Sequence, residues 1–127
     1  MGASGFLLMI VRGIICNILV CFGVMLGIVS QSVPGKVLTC LWPIMTFVAL
    51  NLEHIVVNMF FILTGFTLGS PISGTEMVLW NFLPVTIGNL IGGGLFVGCL
   101  FYATYGETPQ PRVATISSDE KVESQVK

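Results

Sequence analysis

Only four charged side chains, Arg12, Lys36, Glu53 and Glu76, stand between Met1 and Tyr105, and seven crowd into the residues that follow. A soluble domain keeps its surface wet with roughly 25% charged residues. This chain has 9%, against 54% hydrophobic. So few charges cannot cover a water-facing surface, and residues 1–105 read as a membrane domain. Residues 106–127, rich in Pro, Ser, Thr and charge, read as a disordered polar tail. A net charge of −1, with no basic stripe, gives nucleic acid nothing to bind. Cys16, Cys21, Cys40 and Cys99 all lie in apolar runs without ligand spacing and read as small buried hydrophobes. The chain has no nucleophile elbow, Walker loop or H-E-x-x-H, so it is expected to be neither an enzyme nor a holder of metal or cofactor.

Three apolar stretches are long enough to cross a hydrocarbon core of about 30 Å, which takes about 20 helical residues. The first, Phe6 to Val29, is interrupted only by Arg12, Asn17 and glycines, and lacks the basic start and cleavage site of a signal peptide. Ser30 to Lys36 reads as a turn. The second stretch, Val37 to Leu68, is longer than a single span requires. Its middle carries Asn51, Glu53, His54 and Asn58, which predicts two half-helices joined by a polar break between about Phe47 and His54. Gly69 to Glu76 reads as an exposed loop. The third stretch, Met77 to Tyr105, contains Pro84, Thr86, Asn89 and Gly92-Gly93-Gly94, and is also expected to be broken. Lys36 and the basic residues of the tail place the first loop and the C-terminus in the cytoplasm.

An ionisable residue inside a span is a functional-site hypothesis by default. His54 leads, because an unperturbed pKa of about 6.5 lets small shifts change its charge near neutrality. In a regular helix Asn51, His54 and Asn58 would share one face, with Glu53 turned away. Asn17, midway along the first span, is expected to hydrogen-bond Glu53, and Asn89 to cap the second half-helix. The competing reading makes these side chains plain interhelical glue. Gly23 with Gly27, Gly88 with Gly92, and Gly94 with Gly98 form small-x-x-x-small pairs that suit close helix packing. Phe47 reads either as lipid or core contact or as a dewetting constriction.

Three segments carry a more specific signal. They are Arg12-Gly13-Ile14-Ile15-Cys16-Asn17-Ile18-Leu19-Val20-Cys21, Phe47-Val48-Ala49-Leu50-Asn51-Leu52-Glu53-His54-Ile55-Val56-Val57-Asn58-Met59-Phe60, and Asn81-Phe82-Leu83-Pro84-Val85-Thr86-Ile87-Gly88-Asn89-Leu90-Ile91-Gly92-Gly93-Gly94. In order and spacing they resemble the fourth, fifth and sixth spans of the formate/nitrite transporter family. The resemblance implies an all-α integral membrane protein with an aquaporin-like half repeat, assembled as a pentamer with one pore per subunit. It implies passage of small monovalent weak-acid anions such as formate or nitrite, as proton-coupled symport or as channel-like flow.

On that resemblance His54 is the central pore histidine and Phe47 the constriction, with Asn51 beside them in the pore. Asn17, Glu53, Asn58 and Asn89 become the supporting polar network. The partners expected are the bilayer (most simply the plasma membrane), the anion, a proton, and further copies or a first-half or full-length relative. Asn51 departs from the pattern, standing where bacterial relatives more often have glycine. The stretch corresponds to the second of two inverted repeats, so the alternative reading is a non-conducting half-transporter, inert or acting only as an assembly partner.

Overall fold

The computed structural model describes residues 2–106, and the described residues are helical with no strand. The tail expected over 106–127 lies, beyond Gly106, outside the described residues. Helix α1 spans Ala3–Val29, three residues earlier at its start than the apolar count suggests. Helix α2 spans Val33–Ala49 and α3 spans Ile55–Thr67. The last helix, α4, runs Gly74–Tyr105. By length and composition α1 and α4 can each cross a membrane, while α2 and α3 are shorter apolar helices.

Local chemistry sets the helix ends. The turn expected over Ser30 to Lys36 contracts to Ser30, Gln31 and Ser32. Ser32 caps α2 by accepting the Gly35 N–H at 3.2 Å, and Pro34 sits in the first turn, where its missing N–H leaves no bond unmade. The loop expected over Gly69 to Glu76 likewise gives up its last residues to helix. Ser73 Oγ accepts the Glu76 N–H at 3.2 Å and Glu76 Oε2 accepts the Ser73 N–H at 3.1 Å, a reciprocal capping box.

The second stretch is interrupted at Leu50–His54, between the end of α2 and the start of α3. The third is not, and here the expectation of a broken helix is corrected. Instead α4 widens into π-helical turns over Val78–Phe82 and Ile91–Val97. Proline lacks an N–H and its ring crowds the carbonyl four residues back, which would kink a regular helix. The wider turn just before Pro84 makes room, with the Leu83 N–H bonding back to the Val78 carbonyl. The second widened turn contains Gly92, Gly93 and Gly94.

Helix α1 is the hub, packed along α4 on one side and along α2 on the other. Among the described residues the buried ones are Gly13, Cys16 and Gly23 of α1, Phe47 of α2, and Pro84, Val85, Gly88, Asn89, Gly92 and Val97 of α4. Glycines make the approach possible. A Cβ at Gly88 would meet the Ile10 carbonyl oxygen, and one at Gly92 the Ile14 carbonyl oxygen. Gly23 lies against Pro43, whose ring would stand 3.5 Å from an added Cβ, and Gly27 lies against Cys40. Gly94 and Gly98 correct the expectation, since a Cβ at either would meet only atoms of α4 itself. Helix α3 buries none of its residues and touches α4 lightly.

Candidate functional site

The break between α2 and α3 is built by a complete C-terminal cap. The Leu52 N–H bonds to the Phe47 carbonyl at 3.0 Å and the Asn51 N–H to the Val48 carbonyl at 3.1 Å. These are the two bonds of a Schellman motif, which needs a left-handed residue between them. That residue is Asn51, at φ 49°, the one non-glycine residue with positive φ among those described. Asparagine tolerates this region better than other side-chain-bearing residues, which accounts for asparagine where glycine is the common choice. Because the chain reverses its twist here, Asn51, His54 and Asn58 do not share a helical face. Asn51 is exposed and serves the backbone.

Asn89 closes the other side of the break. Its Oδ1 accepts the Ile55 N–H at 3.0 Å, so a side chain from α4 supplies the N-terminal cap of α3. Its Nδ2 donates to the Glu53 carbonyl at 3.0 Å and to the Gly13 carbonyl at 2.9 Å. One amide, 5% exposed, thus joins α1, α4 and the α3 end of the break. Asn17 does not reach Glu53. Its Nδ2 donates to the Asn89 backbone carbonyl at 2.6 Å, in space left by Gly93, where an added Cβ would stand 2.5 Å from that nitrogen. The Glu53 carboxylate instead accepts from Asn58 Nδ2 at 2.6 Å. Asn58 Nδ2 also donates to Asn81 Oδ1 at 2.8 Å.

His54 occupies the N-cap position of α3, with its ring stacked on Phe47 at a centroid distance of 6.0 Å and an interplanar angle of 28°. Its Nδ1 is buried and has no hydrogen-bond partner. Most buried polar atoms are satisfied, so an orphan of this kind calls for an explanation. The ring borders an open groove of about 450 Å³ between α1, the start of α3 and α4. Asn17, Cys21, Thr86, Asn89 and Gly93 are among its other walls. Of the three residues expected in the pore, only His54 lines this groove. Phe47, 8% exposed, backs the imidazole instead, and Asn51 is committed to the cap.

Sequence reasoning passed over Gly13, Gly93 and Asn81. Gly13 stands four residues before Asn17 and so on the same helical face. An added Cβ there would lie 3.0 Å from the Val85 carbonyl oxygen and 3.1 Å from Asn89 Nδ2. That spacing is the signal that could have found it. Asn81 offers no such spacing, because its position depends on the π-helical turn.

Comparison with known proteins agrees with this arrangement. The sequence model of the formate/nitrite transporter family matches residues 1–103. A probable formate transporter of Methanothermobacter thermautotrophicus is 45% identical over 94 residues, covering 74% of this chain and 34% of the relative. Formate-nitrite transporter 2 of Toxoplasma gondii is 41% identical over 87 residues, covering 68% of this chain and 19% of the relative. The chain therefore spans well under half the length of these relatives. A solved pentameric formate channel with formate bound superposes at a TM-score of 0.66 and 30% identity, covering 80% of this chain and 47% of that one.

Proposed function

This chain belongs to the formate/nitrite transporter family, and from that premise we propose that it forms one wall of a pore for small monovalent weak-acid anions. Formate and nitrite are the substrate class, with His54 as the polar station of the path. The observation that carries the reading is the orphaned Nδ1 of His54 beside an open, largely apolar groove. With that buried nitrogen held by no protein group, the ring is not fixed in one tautomer, and the ring itself borders the groove that a ligand would follow.

The physics favours passage as the neutral acid. An isolated carboxylate or nitrite in an apolar groove forfeits its hydration with little in return. Two features soften the barrier at the break. The positive end of the α3 dipole points toward it, and the imidazole of His54 offers a group able to pass a proton to or from a ligand in the groove. The anion gains its proton near the imidazole, crosses as the acid and gives the proton up beyond it, so that transport is proton-coupled. Phe47 keeps the ring in place from behind and excludes water on that side. The groove is open along one side, so a closed pore needs a second wall from another segment or another copy. Pentameric assembly in the plasma membrane with the C-terminus in the cytoplasm completes the reading.

The test is uptake of labelled formate into liposomes across a pH series. The 127-residue chain is compared alone and co-expressed with a first-half segment of a relative. Uptake is expected only in the completed assembly, rising as pH falls, and His54→Phe is expected to flatten that pH profile. A pH profile unchanged by His54→Phe would show that the histidine is packing alone. No uptake in any assembly would favour the non-conducting reading.

A further inference from the structure

Resting on the transport reading above, the geometry points to Asn81 as a positioning residue that sets the helix break through Asn58. Asn81 Oδ1 accepts one Nδ2 hydrogen of Asn58 at 2.8 Å, and the other reaches Glu53 Oε2 at 2.6 Å. Glu53 and His54 are adjacent in the chain, and both precede the first residue of α3. The bridge therefore runs from α4, through the first turn of α3, to the residue beside the groove histidine.

Its importance follows from how little else holds α3. The helix buries no residue. Between described side chains of α4 and the first turn of α3 the hydrogen bonds are two, Asn89 to the Ile55 N–H and Asn81 to Asn58. The Asn89 contact pins one point of α3. A second point, one turn along, is needed to stop the helix rotating about the first, and Asn81 supplies it.

The position of Asn81 is itself a product of the π-helical turn. At 3.6 residues per turn, two side chains eight residues apart point about 80° away from each other. Asn81 and Asn89 are so spaced, yet both serve the first turn of α3. The underwound turn over Val78–Phe82 lowers the rotation per residue and narrows that angle. Such turns recur at functional sites. Pro84 accounts for the widening, and Asn81 makes use of it.

The experiment uses the full 127-residue chain in liposomes, labelled for solid-state NMR, as wild type, Asn81→Leu and Asn81→Asp. Aspartate keeps an acceptor oxygen where Asn58 needs one; leucine keeps only bulk. Asn81→Leu is expected to shift the Asn58 side-chain amide signals and the His54 ring signals, and Asn81→Asp to restore both toward wild type. In the completed assembly, formate uptake should fall about tenfold in Asn81→Leu, the equivalent of about 1.4 kcal/mol, and recover in Asn81→Asp. Asn58 or His54 signals unmoved by Asn81→Leu would overturn the inference whether or not the chain transports. Shifted signals with undiminished uptake would overturn the positioning role and leave only a structural bond. Absence of uptake in wild type would count against the transport reading, and the His54 signals alone would then decide for or against Asn81.

Discussion

Replacing Asn89 with leucine removes three hydrogen bonds at once, to the Ile55 N–H and to the Glu53 and Gly13 carbonyls. The Gly13 carbonyl lies within α1, whereas the Ile55 N–H and Glu53 carbonyl sit at the break. Leaving a buried donor or acceptor unpaired costs about 1–3 kcal/mol, but polar contacts inside membrane proteins average nearer about 0.6 kcal/mol, with model peptides reaching about 1–2 kcal/mol. Two groups at about 1 kcal/mol each give a loss of about 2 kcal/mol. At tenfold per 1.4 kcal/mol, that opens the α3 cap roughly 25-fold more often. The assay is hydrogen–deuterium exchange of the Ile55 amide in detergent micelles, with Asn17→Leu as the comparison. Asn17 bonds to the Asn89 backbone carbonyl, so its loss leaves the cap of α3 intact. Faster exchange at Ile55 is expected in Asn89→Leu alone. Equal acceleration in the two variants would refute the reasoning, because it would mean that α3 is held by general packing and not by this amide.

Two further outcomes follow from the seams and the cap. Gly88→Ala, which drives a methyl onto the Ile10 carbonyl oxygen, should lower stability by about 1–3 kcal/mol through overpacking. Gly94→Ala meets only Leu90 Cδ1 at 3.9 Å and should be neutral or slightly stabilising, since alanine is the better helix former by about 1 kcal/mol; thermal unfolding in detergent micelles separates the two. At the left-handed position, Asn51→Gly should be tolerated, whereas Asn51→Val should cost about 1–2 kcal/mol in the same measurement.

The membrane character and the neighbourhood of the break were legible in the sequence. Each depends on the desolvation of particular side chains, a property that a residue carries wherever the chain places it. Four charges in 105 residues exclude a soluble surface in any fold, and Asn51, Glu53 and His54 within a few positions are too expensive for an uninterrupted lipid-facing helix. The need for left-handed backbone at a helix end is equally local, and Asn51 meets it. What the tertiary structure decided is who bonds with whom. Asn17 could reach several acceptors, and it is the gap at Gly93 that directs it to the Asn89 carbonyl. Glu53 could have turned to α1, and it turns to Asn58 because Asn81 holds that amide. Pro84 and three consecutive glycines look like a broken helix on paper. They form a continuous one because π-helical turns absorb the missing N–H, and α1 packs along the result. Such choices depend on distances between atoms far apart in the chain, and one-dimensional periodicity holds no record of those distances.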